Sequence, residues 1–162
     1  MYRNLSDKGG PAAGPKPGWL RIDSQKNHDW AHISKALKDR GLHTVCEEAR
    51  CPNINECWSA RTATIMILGE VCTRGCRFCN VKTGNPAGYV NPREVLGTSE
   101  LVSLMNLRYI VLTSVDRDDL EDHGAGHFAK VIERIHADHP EVHVESLVPD
   151  FGAEPWRMDI LA

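Results

Sequence analysis

Hydrophobic positions after residue 60 follow two alternating patterns. Compact, β-branched apolar runs, typical of strands buried on both faces, lie at 62–69, 108–115 and 142–148. Apolar residues at helical spacing follow these runs, at 92–106, 125–138 and 154–162. Strands that alternate with helices form right-handed βαβ units and therefore a parallel sheet. The pattern predicts an α/β fold for this part of the chain.

A sheet with so few parallel strands cannot close on itself as a barrel. The outer edge of the strand at 142–148 would stay unpaired, which soluble proteins usually avoid. The sequence contains no internal repeat that would supply further strands. On physical grounds alone, we therefore expect an incomplete fold with an exposed edge after residue 148.

The residues before this core have a different pattern. Apolar Trp30, Ile33 and Leu37 have helical spacing and predict a helix over 28–41. The segment 43–61 is rich in Cys, Asn and Pro, and we interpret it as a loop with little regular structure. Glycine, proline and lysine dominate the start of the chain, which indicates a flexible arm. The predicted divisions are an arm, a cysteine-rich extension and an α/β core, at 1–27, 28–61 and 62–162.

Composition and charge exclude several classes of protein. A chain of 162 residues with 41% hydrophobic residues is long enough to bury the core of one domain. A net charge of −3 provides no basic surface for nucleic acid or an anionic membrane. There is no apolar run of transmembrane length and no secretory signal. We expect a cytoplasmic protein, with the mitochondrial matrix as the alternative location.

All six cysteines lie between Cys46 and Cys79. In the cytosol they are not expected to form disulfides. Structural cysteines would be scattered over strands and helices as small apolar residues, whereas these form two local groups. Local groups are typical of metal ligands. The first triplet is Cys46, Cys51 and Cys57, and the second is Cys72, Cys76 and Cys79.

The second triplet has the spacing C-x3-C-x2-C and follows a predicted buried strand. Three thiolates can hold three irons of a [4Fe–4S] cluster and leave the fourth iron open to a small molecule. A structural zinc ion needs four protein ligands, and His43 or a cysteine of the first triplet could provide the fourth. The spacing therefore favours an iron–sulfur cluster but leaves a zinc site open.

Two long motifs extend this interpretation to a family. They are GLHTVCEEARCPNINECW and TATIMILGEVCTRGCRFCNVKTGNP, and shorter ones are KPGWLRI, TSVDRDDL, GHFAKVI and LVPDF. The second triplet matches the signature of the radical S-adenosylmethionine superfamily, and the chain resembles lipoyl synthases over nearly its whole length. The resemblance implies the N-terminal part of a partial (β/α)6 barrel of the TIM type, with a cysteine-rich N-terminal extension.

The resemblance also implies a sulfurtransferase with two clusters. The cluster on the second triplet would bind S-adenosylmethionine and cleave it to a 5′-deoxyadenosyl radical. The cluster on the first triplet would donate two sulfur atoms to C6 and C8 of a protein-bound octanoyl group. Implied partners are octanoylated lipoyl carrier domains, such as E2 subunits of 2-oxoacid dehydrogenases and the glycine cleavage H protein. An electron donor such as flavodoxin or ferredoxin would reduce the clusters.

Further residues are candidates for binding S-adenosylmethionine. By resemblance, Phe78 would lie near the adenine, although it could also be a core aromatic. Thr113, Ser114 and Asp116 follow the second strand, where barrel active sites form, although Ser114 and the Asp residues could instead cap the next helix. Glu145 alternates inward on the third strand, and a buried carboxylate needs a partner. The partner of Glu145 could be a ribose hydroxyl or a basic residue in a structural salt bridge.

The chain also departs from the family. It contains no RSSY-like stretch, whose serine would be the fourth ligand of the first cluster, and the resemblance leads us to expect only the N-terminal part of the barrel in these 162 residues. His123 stands where the family has glycine, and FGAEPWRMDILA is altered. Arg74 and Arg77 could offset the negative charge of the cluster and its thiolates, or they could be solvated loop residues. Alternatives to an active synthase are a non-catalytic iron–sulfur protein and a zinc-binding relative.

Overall fold

A computed structural model describes residues 30–162 of the chain, so the predicted arm at 1–27 lies outside the described residues. The helices are α1 (Trp30–Arg40), α2 (Val45–Glu48), α3 (Ile54–Ser59), α4 (Glu94–Leu104), α5 (Ala125–Asp138) and α6 (Pro155–Asp159). The strands are β1 (His43–Thr44), β2 (Thr62–Ile67), β3 (Val71–Cys72), β4 (Lys82–Thr83), β5 (Tyr109–Ser114) and β6 (His143–Leu147). A 3-10 turn at Phe151–Ala153 precedes α6.

The main sheet has the strand order β1-β2-β5-β6. Strands β2, β5 and β6 are parallel, which confirms the predicted α/β architecture. The short β1 is antiparallel to β2, with His43 opposite Met66 and Thr44 opposite Ile65. Strands β3 and β4 form a separate parallel pair. The sheet is open, and β6 is its edge strand within residues 30–162, as the sequence predicts.

One face of the sheet carries the core. Ile65 of β2 and Ile110 and Leu112 of β5 are fully buried on this face. They belong to one hydrophobic cluster with Leu101 of α4 and Phe128 of α5. The two helices also pack against each other. Burial of this many large apolar side chains is the main source of stability for the fold.

The opposite side, which we call the open face, is defined by Tyr109, Val111, Thr113, Glu145 and Leu147. Its residues follow from the register, in which Val111 lies opposite Glu145 and Thr113 opposite Leu147. Successive side chains of a strand point to opposite faces, so these alternate with the buried positions. Leu147 is 61% exposed and Tyr109 is 38% exposed. The open face therefore presents both apolar and polar groups to solvent.

The segment 43–61 differs from its prediction. It was expected to have little regular structure, but it contains β1, α2 and α3. The Thr44 side chain accepts a hydrogen bond from the Glu47 N–H at 3.2 Å and caps α2. Trp58 anchors α3 in the core at 5% exposure. A threonine followed three residues later by glutamate is a capping signal, so the sequence did contain evidence for α2.

Within residues 30–162, every helix is too short or too polar to cross a bilayer.

Candidate metal centre

The second triplet lies in a loop whose two ends are held together. Cys72 ends β3, which pairs with β4 so that Cys72 lies opposite Thr83. The Gly84 N–H also donates to the Cys72 carbonyl at 2.9 Å. Residues 72–79, which we call the second cysteine loop, therefore start from a fixed position. The loop follows β2 at the C-terminal edge of the parallel sheet, where α/β proteins place their active sites.

The three cysteines of this loop differ in exposure. Cys72 is buried, and its sulfur accepts a hydrogen bond from the Arg74 N–H at 3.4 Å. Cys76 and Cys79 are exposed, and the Cys79 N–H donates to the Cys76 carbonyl at 3.1 Å in a tight turn. Phe78 lies in this turn and is 93% exposed. The alternative of a core aromatic at Phe78 is therefore wrong.

Arg74 connects the second cysteine loop to the ends of the two neighbouring strands. Its guanidinium lies 2.6 Å from Asp118 and 3.4 Å from Asp116, both after β5. It also lies 2.7 Å from Asp150, after β6. The hydrogen bond from Arg74 lowers the pKa of Asp118 to about 2, against the opposing effect of burial. Arg74 is engaged by carboxylates, whereas Arg77 is exposed.

The loop after β5 is also bonded directly to the second cysteine loop. The Thr73 N–H donates to the Asp116 carbonyl at 3.0 Å. The Asp116 carboxylate lies 3.8 Å from the sulfur of Cys72. Neither Ser114 nor Asp116 caps α5, because Asp122 accepts the N–H groups at the start of that helix. The structure thus brings Asp116 to the cysteines and rules out its reading as a helix cap.

Thr113 and Ser114 point to opposite sides of the sheet. Thr113 belongs to the open face, while Ser114 has the parity of the buried Ile110 and Leu112. The Ser114 hydroxyl oxygen is buried and has no hydrogen-bond partner in the described part of the chain. The two neighbours, predicted to act together, therefore face different surroundings.

The structure corrects the prediction that Glu145 is buried. It was expected to be a buried carboxylate, and it is exposed on the edge strand β6. Its carboxylate accepts a hydrogen bond from the Tyr109 hydroxyl at 2.5 Å. This bond raises the pKa of Tyr109. The alternation of residues along the strand correctly predicted the face of the sheet on which Glu145 lies. It did not predict the exposure of Glu145, because β6 has a neighbour on only one side among the described strands.

Cys46 and Cys51 of the first triplet line a surface cavity of about 490 Å³. Cys46 is buried on α2, Cys57 is half-buried on α3, and the Cys51 N–H donates to the Cys46 carbonyl at 3.0 Å. Burial raises the pKa of the Cys57 thiol, and the neighbouring Cys46 and Cys51 raise it further. The cavity is lined by Cys46, Glu47, Arg50, Cys51, Ile54 and Asn55.

The two cysteine regions are in contact. The Asn80 side chain, just after Cys79, donates to the Glu48 carbonyl of α2 at 3.2 Å. Across residues 30–162, the compact group of ligand-type side chains within 4.8 Å of one another is His43, Glu48 and Glu70. His43 therefore associates with carboxylates rather than completing a cysteine site. Neither triplet forms such a compact group. A single zinc ion would require one, because sulfurs that bind the same zinc ion lie roughly 4 Å apart.

Sequence reasoning missed three residues near Leu68, at the end of β2. Glu94 is fully buried, Arg117 is 1% exposed, and His127 lies 2.7 Å from Glu94. Glu94 and Arg117 both bond to the backbone of Leu68, the residue after β2. The sequence offers no signal for this, because charged residues at a helix start and in a loop usually lie at the surface.

Comparison with known proteins adds to this geometry. No family model matches the chain. It is 54% identical over 144 residues to the lipoyl synthase of Francisella tularensis subsp. novicida (strain U112). The chain is homologous to lipoyl synthases. The lipoyl synthase of Legionella pneumophila (strain Corby) is 55% identical over 141 residues.

The match covers most of this chain but less than half of each synthase. It covers 89% of this chain but 44% of the Francisella tularensis synthase, and 86% of this chain but 43% of the Legionella pneumophila synthase. Francisella philomiragia subsp. philomiragia has a lipoyl synthase that is 52% identical over 144 residues. The chain therefore spans less than half the length of the synthases that it matches.

Proposed function

We propose that this chain is the cluster-binding part of a lipoyl synthase, a radical S-adenosylmethionine sulfurtransferase. The reaction is the insertion of two sulfur atoms at C6 and C8 of a protein-bound octanoyl group. The observation that carries the proposal is the contact between two three-cysteine regions at one edge of a parallel sheet. The homology to lipoyl synthases supports the same reaction.

The donor set of the second triplet fits a [4Fe–4S] cluster with one open iron. Three thiols lie in one loop, and the Arg74 N–H already donates to the sulfur of Cys72. Hydrogen bonds of this kind stabilise a cluster thiolate and tune its potential. We assign Cys72, Cys76 and Cys79 as ligands. When bound, the cluster supplies the electron that cleaves S-adenosylmethionine.

The first triplet fits a second [4Fe–4S] cluster, the source of sulfur. Its cysteines are buried or half-buried, Cys46 and Cys51 line one cavity, and burial followed by the neighbouring thiols raises the pKa of Cys57. Metal binding would relieve this repulsion, because the cation stabilises the thiolates. We assign Cys46, Cys51 and Cys57 as ligands. Proximity to the second triplet suits a reaction that needs both clusters near one substrate.

The chain's own residues would bind S-adenosylmethionine beside the second cysteine loop. Asp116 lies next to Cys72, and Thr113 is on the open face. Phe78 is exposed in the loop and free to stack on an adenine. Glu145 accepts a hydrogen bond from Tyr109 and could accept one from a ribose hydroxyl instead. Ser114 has an unsatisfied buried hydroxyl, which keeps it a candidate.

The proposed fold is the N-terminal part of a partial (β/α)6 barrel. In that arrangement the open face lines the barrel interior, while α4 and α5 form part of its outer layer. We also propose three divisions, an arm at 1–27, an extension at 28–61 and a core at 62–162. The proposed location is the cytoplasm, where free thiols stay reduced for metal binding.

Octanoylated lipoyl carrier domains are the proposed protein substrates, and a flavodoxin or ferredoxin is the proposed electron donor. Both partners would approach the loops at the C-terminal edge of the sheet. The open face is the surface through which an octanoyl chain could reach the cysteines. Its apolar member Leu147 is suited to such a chain.

Iron and acid-labile sulfide per chain, measured after anaerobic reconstitution, test the assignment of the clusters. We expect about eight irons in the wild type and about four in each triple-alanine variant, as for two separate cubanes. The variants replace Cys46, Cys51 and Cys57, or Cys72, Cys76 and Cys79. Circular dichroism of each variant controls for folding. Zinc in place of iron, or iron that is lost from both sites together, would refute two independent clusters.

Product analysis tests the reaction itself. The reduced chain is incubated with S-adenosylmethionine and an octanoylated carrier domain, and 5′-deoxyadenosine and lipoyl product are quantified. The variant without the first triplet should still release deoxyadenosine but form no lipoyl product. The variant without the second triplet should release neither. Equal loss of both products in the two variants would contradict this division of roles.

A further inference from the structure

Strand β2 ends in an unusual turn that leads to the second cysteine loop. Leu68 has φ +68° and Gly69 has φ +89°, so two successive residues adopt left-handed conformations. Leucine rarely occupies this region, and it persists there only when its surroundings hold it. Cys72 follows four residues later. The turn therefore sets the point from which the loop begins.

A buried carboxylate holds the N–H side of this turn. Glu94, at the start of α4, is fully buried. Its Oε2 accepts the Leu68 N–H at 2.8 Å, and its Oε1 accepts the Gly69 N–H at 3.3 Å. The Nε2 of His127 on α5 lies 2.7 Å from the same Oε2. Both helices that cover the sheet thus contribute to this one contact.

A buried guanidinium holds the carbonyl side. Arg117 is 1% exposed, and its Nη1 donates to the Leu68 carbonyl at 3.2 Å. Its Nε and Nη2 donate to Asp119 at 2.8 and 2.9 Å, and Nη2 also donates to the Tyr89 carbonyl at 2.8 Å. Arg117 is therefore itself fixed by three partners. Both polar groups of the Leu68 backbone are bound to buried charged side chains.

The side chain of Leu68 is confined as well. It is 3% exposed, and a Cβ placed on Gly124 would lie 2.4 Å from Leu68 Cδ1. The absence of a side chain at Gly124 makes the room for Leu68. Buried charges are costly to desolvate, and apolar residues of similar size often stabilise a fold better. Stability alone is therefore a poor reason for two buried charges to converge on one turn.

We propose that Glu94 and Arg117 are positioning residues that lock the Leu68–Gly69 turn and thereby fix the buried ligand Cys72. This deepens the proposed function, because it concerns the site that would hold the second cluster. Neither residue touches the cysteines. They act through the backbone of Leu68, and Cys72 is held inside the protein while Cys76 and Cys79 remain outside.

Thiol labelling of the cluster-free chain tests this directly. Glu94→Gln replaces two acceptor oxygens by one, so at least one of the two turn N–H groups loses its partner. Arg117→Lys keeps the charge but loses the planar fork. In both variants we expect iodoacetamide to label Cys72 at least about tenfold faster, because local opening of the turn exposes it. Labelling of Cys46, buried in the first triplet, should keep its wild-type rate.

Glu100→Gln is the matched control on the same helix. Glu100 pairs with Arg40 at the surface of α4 and is remote from the turn. This variant should label Cys72 at the wild-type rate. Equal acceleration at Cys72 and Cys46 would indicate general destabilisation and overturn the proposal, as would an unchanged Cys72 rate in folded Glu94→Gln and Arg117→Lys. If both variants lose the sheet by circular dichroism, the residues hold the whole fold, and the positioning role fails.

The labelling requires no iron, so its result is independent of the proposed function. After reconstitution, Glu94→Gln should lose iron from the second triplet but keep the iron of the first. Faster labelling of Cys72 in a chain whose wild type binds no cluster would disprove the proposed function and leave the positioning of Cys72 intact. Unchanged labelling of Cys72 in variants of a chain that binds both clusters would disprove the positioning role and leave the proposed function intact.

Discussion

Leu68 and Gly124 share one small space at the base of the second cysteine loop. Gly124 has φ +89°, and a Cβ there would lie 2.4 Å from Leu68 Cδ1. Leu68 cannot retreat easily, because its side chain is buried and its backbone is bonded at both polar groups. We expect Gly124→Ala to lower the free energy of unfolding by about 2–4 kcal/mol, through backbone strain and overpacking.

Gly69→Ala separates these two causes. Gly69 has the same φ of +89°, but nothing lies within 4 Å of the Cβ that alanine would add. This variant should therefore lose only the conformational contribution, about 1–2 kcal/mol. Urea denaturation followed by circular dichroism measures both. If the two variants were equally unstable, the close approach of Leu68 to Gly124 would have no energetic effect.

Asp119 links stability to pH. The hydrogen bond from Arg117, the largest cause, lowers the pKa of Asp119 from 3.8 to about 2, against the opposing effect of burial. Between these values the unfolded chain binds more protons than the folded chain, so stability rises with pH in this window. The contribution is complete above about pH 4 and is lost as the pH falls toward 2. Its size is about 2 kcal/mol.

Asp119→Asn removes this proton linkage. The difference in free energy of unfolding between the wild type and the variant should grow as the pH rises from about 2 to 4, and should be constant above that range. Urea denaturation at a series of pH values measures it. A difference that is independent of pH throughout would show that the Asp119 carboxylate is not held in its charged form by Arg117.

At the scale of elements, Arg74 joins the ends of three strands. It lies in the loop after β3 and contacts carboxylates after β5 and β6. Because Arg74 is 33% exposed, each ion pair contributes only about 0–1 kcal/mol. We expect Arg74→Gln to have a small effect on global stability but to loosen the loop. Hydrogen exchange of a peptide covering 72–83 should become faster, while exchange in α5 stays unchanged.

Arg77→Gln is the control for this prediction. It removes the same charge from the same loop, but Arg77 is exposed and belongs to the outer part of the loop. Its exchange pattern should match the wild type. Equal acceleration in both variants would mean that net charge, rather than the contacts of Arg74, orders the second cysteine loop.

The elements with strong periodicity could be predicted from the sequence, and those made by capping or by distant contacts could not. Helix α5 spans the predicted 125–138, because Phe128, Val131 and Ile135 form one buried stripe. Strand β2 ends earlier than predicted, at Ile67, because the left-handed Leu68 turn interrupts a continuous apolar run. Periodicity carries no information on such a turn.

For the candidate site, residue type and spacing were sufficient for the cysteines only. The partners of Arg74 and Glu94 come from segments far along the chain, and no local pattern indicates them. Glu145 shows the converse limit. Its alternation was visible in the sequence, but its exposure depends on how many strands flank β6. Contacts between distant segments were therefore the main part that the sequence could not reveal.

At the scale of the whole molecule, the open face and the edge of β6 form one accessible surface. Leu147 is 61% exposed there, and β6 pairs only with β5 among the strands of the described residues. An exposed strand edge beside apolar side chains favours pairing with another chain. We expect the isolated chain to self-associate as its concentration rises, as measured by sedimentation velocity.

Leu147→Lys tests the role of this surface, since a lysine on an edge strand opposes pairing. The variant should stay monomeric over the range in which the wild type associates. Met158→Lys, on α6 and 42% exposed, is a control of similar chemistry away from the sheet. If Met158→Lys suppressed association and Leu147→Lys did not, the contact would lie on α6 rather than on β6.

The tight turn between Cys76 and Cys79 has a consequence for handling in air. Its hydrogen bond of 3.1 Å indicates Cα atoms within about 7 Å, and disulfides span roughly 4.4–6.8 Å. Both thiols are exposed, whereas Cys72 is buried behind them. An oxidant would therefore reach the outer pair first and join it, leaving Cys72 reduced. A preparation made in air would lose two ligands of the three to a bridge, and a thiol reductant would restore them.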